Sequence, residues 1–210
     1  MAEESARIES RTGFERTVAF SDGVFAISIT LLVLSIQVPA LHRNQQLDHA
    51  LSNLSENFVS YFIGFAVIGL FWVGHHYFFD SLRGFDGRLL WLNLLYLSFI
   101  GLLPFTTALL GNFGNDPTAL TAYAINVGLA GLADALMMVV ALRANLLVPD
   151  KQARGRELVV RDLVPAAVFF TSIPVAYLDT ALAKYCWLLI AIVPRLMTRA
   201  GVWGPRWLGW

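Results

Sequence analysis

Four apolar stretches, residues 17–38, 58–79, 89–110 and 120–142, are each about as long as a bilayer's hydrocarbon core is thick. At ~1.5 Å of rise per residue, a helix of roughly 22 residues covers the ~30 Å of that core. No water enters it to satisfy open backbone groups, so segments of this length and apolarity fold as helices, and the fold class is all-α. Residues 163–178 and 181–197 are shorter and carry Pro165, Pro174, Lys184 and Pro194. We read them as fifth and sixth helices joined near Asp179, with kinks expected at the prolines, which neighbouring helices make tolerable. The expectation is one six-helix transmembrane domain over residues 1–210, without an internal repeat. Sixteen mostly polar residues precede the first run, which is longer than the apolar centre of a secretory leader, so this run is expected to stay as a spanning helix.

Hydrophobic residues make up 57% of the chain and charged ones 14%, which excludes an ordinary soluble surface. Fifteen basic and fifteen acidic residues cancel, so nothing points to nucleic acid, and the few charges matter by position. In a six-helix plan, Arg7, Arg11, Arg16, Arg83, Arg88, Arg143, Lys151, Arg154, Arg156, Arg161, Arg195, Arg199 and Arg206 fall on one side, and only Arg43 and Lys184 on the other. The positive-inside rule then places both termini in the cytoplasm of a multi-pass cell-membrane protein, and an odd helix count would spoil the asymmetry. The lone Cys186 forms no internal disulfide and reads as a packing residue. Residues 40–56 are amphipathic enough for a short helix, Asp116-Pro117 reads as the start of the fourth span, and Trp203, Trp207 and Trp210 suit a membrane surface. No nucleophile stands near a base, so an enzyme is not expected.

The first helix opens on Arg16-Thr17-Val18-Ala19-Phe20-Ser21-Asp22. An acid inside a membrane helix is costly unless paired or wetted, which makes Asp22 a functional candidate. At 100° per residue, Phe20, Gly23, Ile27, Thr30, Leu31 and Leu34 share one stripe, and Asp22 points nearly the opposite way. The stripe either packs on a neighbour or lipid, or has a task of its own. Ser21 or Asp22 either caps a later-starting helix or anchors a buried network. Ser21, Ser28 and Ser35, at heptad spacing, let another helix approach closely. Counting inward from Arg16, Arg83 and Arg88 puts Asp22, His75, His76 and Asn93 at one membrane level, with Trp72 one turn before His76 and able to donate its indole hydrogen to it. The histidines fit structural hydrogen bonding, a proton relay or a metal. Adjacent positions diverge by about 100° and lack the i,i+4 spacing of a helical metal pair.

Phe20-Ser21-Asp22 after Arg16, followed by Gly-Val-Phe-Ala-Ile-Ser-Ile-Thr-Leu-Leu-Val-Leu, resembles the first helix of the transmembrane protein 175 family of potassium channels. Phe71-Trp72-Val-Gly-His75-His76, Leu92-Asn93-Leu94 and Leu103-Pro104-Phe105-Thr106 look like its second and third helices. The second half of the chain matches by pattern only. The resemblance implies the single-repeat branch, in which four subunits form a homotetramer and the first helices line a central pore. It places Ile27 at an apolar constriction and Thr30 one turn on as a hydroxyl ring. Leu31 and Leu34 become further pore-lining positions, and Arg16, Phe20, Ser21 and Asp22 form a structural network with the Trp72, His75, His76 and Asn93 group behind the pore. Arg16 lies over the stripe on a straight helix and so faces either the pore mouth or the network. No Thr-Val-Gly-Tyr-Gly carbonyl filter occurs. The expectation is therefore weak K⁺ preference with closure by dewetting at an apolar ring, and K⁺ as permeant ion without a cofactor. The alternatives are a proton-coupled secondary transporter using Asp22 and His75/His76, and a non-transporting scaffold. The expected partners are copies of the chain, the lipid bilayer and monovalent cations.

Overall fold

A computed structural model describes residues 2–37, 47, 51 and 54–187, with side chains from residue 12 onward. The first helix, α1 (Ala2–Leu31), passes into a 3-10 turn over Leu32–Ser35. It begins fifteen residues before the expected start at 17. The Ala-, Glu- and Arg-rich lead extends an existing helix at little cost, since nucleation is already done. Its α-helical part ends before the expected residue 38, where Ser35 Oγ donates to the Leu32 carbonyl at 2.7 Å in the tighter turn.

Next come α2 (Ser55–Asp80), α3 (Gly87–Asn112) and α4 (Pro117–Arg143), each extending the expected run by at most three residues at either end. Asp86 caps α3 by accepting from the Leu89 N–H at 2.9 Å. Asp116 caps α4 by accepting from the Thr118 N–H at 2.7 Å, a bond that holds its carboxyl below the usual carboxylate range. A short α5 (Pro149–Ala153) leads into α6 (Gly155–Ala176), which starts eight residues before the expected 163 and runs unbroken through Pro165 and Pro174. Asp179 then caps α7 (Thr180–Trp187), accepting from Ala181 and Leu182 at 2.8 and 3.1 Å. Residues 188–197 of the expected sixth helix, the tail tryptophans and most of residues 40–56 lie outside the described residues. Among those described, five helices are long and apolar enough to cross a membrane. The protein is a multi-pass, all-helical membrane protein.

Two packing features position the rest. Antiparallel α4 and α6 come close along glycines: a Cβ on Gly131 would sit 3.0 Å from the Ala166 backbone nitrogen, and one on Gly128 would meet the Phe170 ring at 2.9 Å. Absent side chains here let two backbones approach. At one end, the α2–α3 and α4–α5 connections clasp each other. The Arg83 N–H donates to the Leu146 carbonyl at 2.8 Å, the Val148 N–H to Ser81 at 2.9 Å, and the Arg83 guanidinium doubly to the Asn145 carbonyl at 3.0 and 2.8 Å. Asn145 takes a left-handed backbone, φ 54°, to present that carbonyl.

Candidate functional site on the first helix

The two sides of α1 differ sharply. Ser21, Phe25, Ser28 and Leu32 are buried against α2 and α3, whereas Phe20, Ile27 and Leu34 are 55%, 61% and 68% exposed. Gly23, Thr30 and Leu31 are exposed with them. The stripe drawn from the sequence is therefore the face that the subunit leaves uncovered. Thr30 donates its hydroxyl hydrogen to the Ile27 carbonyl at 2.8 Å, which leaves the oxygen's lone pairs as an acceptor on that face.

Behind the stripe runs a directed hydrogen-bond chain. Ser21 Oγ donates to the Thr17 carbonyl at 2.9 Å, so its remaining role is to accept, and Asn93 Nδ2 donates to it at 2.9 Å. That fixes the amide orientation and leaves Asn93 Oδ1 as the acceptor for His75 Nε2 at 2.9 Å. His75 therefore carries its hydrogen on Nε2. Aromatic rings hold the imidazole in place: Tyr96 stacks on it at 5.7 Å and 6°, Phe79 lies 4.4 Å away, and Phe25 presents an edge at 5.4 Å. Ser21, His75 and Asn93, from three helices, thus meet in one buried group.

Asp22 is held separately. The Trp72 indole N–H donates to Asp22 Oδ1 at 2.9 Å, not to His76 as the sequence suggested. Trp72 and His76, one turn apart on α2, stack at 5.8 Å and 25°, a geometry that turns the indole hydrogen away from the imidazole. His76 lies on the surface with Nε2 3.4 Å from Asp80, so the histidines diverge and His76 stands outside the buried chain. Arg16 is exposed, makes no hydrogen bond or ion pair with a described residue, and borders a shallow groove of about 310 Å³ with Phe20, Leu90, Asn93 and Leu94. No group of three His, Cys, Asp or Glu suited to a metal occurs among the described residues.

Two features escaped the sequence reading. Tyr96, fully buried, was indistinguishable from a core aromatic, although it stands one turn past Asn93 on the same face. Asp134 is a lone acid inside the fourth apolar run, the signal that singled out Asp22.

Comparison with known proteins bears on this arrangement. The profile of the family described as endosomal/lysosomal potassium channel TMEM175 matches residues 16–104, which hold every residue of the site. A potassium channel from Streptomyces collinus is 42% identical over 104 residues, half of this chain and half of that protein. The endosomal/lysosomal proton channel TMEM175 of Mus musculus is 39% identical over 111 residues, 49% of this chain and 22% of that protein. The aligned part of the chain thus spans half or less of these relatives' own length. The crystal structure of a lysosomal potassium-selective channel TMEM175 homolog from Chamaesiphon minutus is similar with a TM-score of 0.76 and 25% identity, over 89% of this chain and 98% of that one.

Proposed function

This chain belongs to the TMEM175 family, and from that membership we propose that it is a potassium-permeable, weakly selective cation channel, a homotetramer whose α1 helices line the pore. The observation that carries the reading is the two-sidedness of α1, with its polar face spent inside the subunit and its branched apolar stripe left open. Four copies of Ile27 around an axis would make an apolar ring that closes by dewetting. A narrow ring strips water from the ion, which costs Na⁺ more than K⁺, and the Thr30 oxygens offer partial replacement ligands. The Ser21–Asn93–His75 chain and the Asp22–Trp72 bond fix the rotation of α1 that presents the stripe. In this reading both termini are cytoplasmic and four subunits, with no cofactor, make the working unit.

Potassium flux into liposomes, clamped with valinomycin in a parallel set, tests the channel. Voltage-driven K⁺ leak without a proton requirement is expected. Saturable, pH-coupled flux without unitary currents would replace the channel with a carrier working through Asp22 and His75. Ile27→Asn, which wets the ring, should raise K⁺ conductance several-fold and flatten the preference for K⁺ over Na⁺, and unchanged currents would sink the gate assignment.

A further inference from the structure

The two flanks of α1 border different neighbours, and each leaves one charge over. Asp22 points to α2, where it accepts the Trp72 N–H at 2.9 Å. Phe20, two residues earlier, points about 200° away round the helix. With Arg16 it lines the shallow groove against Leu90 and Leu94 of α3. Arg16 is exposed there and has no partner among the described residues. On the α2 side, Trp72, His76 and Asp80 stand one turn apart on an exposed face, the indole stacked on the imidazole. The Asp80 carboxylate is 67% exposed, and its one partner among the described residues is His76 at 3.4 Å. A cation on one flank and an acid on the other thus find no opposite charge of Lys, Arg, Asp or Glu among the described residues of the subunit.

The two charges also lie at one depth. Phe14 of α1 meets Phe79 of α2 with ring centroids 5.7 Å apart, so α1 and α2 run antiparallel past the Asp22–Trp72 bond. Counting from that bond toward Phe14 at ~1.5 Å per residue, His76 lies ~6 Å along, Arg16 ~9 Å and Asp80 ~12 Å. Arg16 therefore falls between His76 and Asp80 in depth. A second pair of features matches in the opposite direction. The His75–Asn93 and Tyr96–Phe71 bonds set α2 antiparallel to α3. Counting from His75 and Asn93, Phe65 of α2 lies ~15 Å along and Gly101 of α3 ~12 Å. Phe65 is 45% exposed, three turns from His76 on the same face. Gly101 lies two turns past Leu94 on the groove side, where an added Cβ meets nothing within 4 Å. One flank presents a ring where the other presents a gap.

We infer that copies of the chain dock head to tail, the α1–α3 groove of one copy taking the exposed α2 face of the next, with Arg16 pairing with Asp80 and Phe65 entering the gap at Gly101. The pairing rests on the homotetramer reading and names the faces that close it. Because the two faces differ and complement each other, the contact is heterologous, the kind that continues round a ring instead of stopping at a pair. A ring about one axis keeps every depth the same in each copy, so a match of depths within one chain is a match between neighbours. The planar guanidinium suits a carboxylate partner, and such a pair at the edge of an apolar contact fixes register and rejects wrong orientations.

The test reads the oligomeric state of the full chain in mild detergent by native mass spectrometry, with helix content followed by circular dichroism. Wild type should be a tetramer. Arg16→Glu or Asp80→Arg alone sets like charges against each other and should lower the tetramer fraction roughly tenfold or more. Arg16→Glu combined with Asp80→Arg restores opposite charges and should recover most of that loss, which no general loss of stability imitates. Gly101→Leu fills space that is open within the subunit, so it should lower the tetramer fraction while helix content stays as in wild type. If a single reversal fails to fold, the combined variant and Gly101→Leu still decide. A combined variant that assembles no better than either single one overturns the ion pair, and a Gly101→Leu chain that assembles like wild type overturns the docking of these faces. A wild type that is not a tetramer is a failure of the homotetramer reading and takes the pairing with it, whereas a wild-type tetramer indifferent to all four variants is a failure of the pairing alone.

Discussion

Asn93 is the side chain that α1 can least spare, because an amide is the one group of its size that donates and accepts in fixed directions. Asn93→Leu keeps the branched outline but strands the His75 Nε2–H and empties the bond to Ser21, and it should cost about 2–3 kcal/mol. Ser21→Ala, losing one neutral bond, should cost about 1 kcal/mol. Chemical unfolding of the solubilised protein would compare them, and equal costs would mean that the chain acts through packing alone. Asp22→Asn preserves shape while weakening the acceptor for Trp72, and in the proposed assembly it should lower tetramer yield on size-exclusion chromatography more than it alters permeation. A well-assembled variant with changed selectivity would move Asp22 into the ion path. The sequence put Asp22, His75, His76 and Asn93 at one depth because each is a polar residue at a countable distance from a flanking arginine; His75 and Asn93 do meet, with Ser21 of the heptad row, while His76 turns to the surface beside Asp80. Trp72's partner was not, since spacing reports that two side chains are neighbours but not whether their rings stack or bond.

Among the helices, hydropathy reports what lipid covers and not where a helix ends. The expected and observed limits agree for α2, α3 and α4, where capping aspartates or a turn stand at the membrane boundary. They part at α1 and α6, where charged but helix-favouring residues prolong the coil outside the apolar run. Which faces of α2, α3 and α4 meet was also beyond the sequence, because hydrophobic residues surround these three helices on every side and leave no stripe to read. The glycines carry part of that information. Gly131→Leu drives a branched side chain into the α6 backbone and should destabilise by about 1–3 kcal/mol. Gly69→Ala, where an added methyl meets nothing within 4 Å, should be neutral or slightly stabilising. Thermal melts of the two variants would separate close packing from simple helix propensity.

At the scale of the whole molecule, the first five of the six expected spans and the division of α1 into two unlike sides were open to inspection in the sequence, whereas which side the subunit leaves uncovered was not. The clasp between the two connections was not, because it is made largely of backbone groups that any residue supplies. Its exception is Asn145, whose left-handed backbone suits glycine and penalises a branched side chain. Asn145→Gly should leave stability nearly unchanged, and Asn145→Val should cost about 1–3 kcal/mol, read from unfolding midpoints of the full chain. Equal midpoints would mean that the strained turn is dispensable. Mechanically, the clasp is a weld. It ties the end of α2 to the connection between α4 and α5 through bonds that do not lengthen without breaking, so a push on either side travels to the other as displacement instead of being absorbed as slack. The compliant joint is then the seam along α1, where the Asn93–Ser21 and Trp72–Asp22 bonds are the side-chain hydrogen bonds across it among the described residues, and a load on the domain would be released there first, as slip or rotation of that one helix.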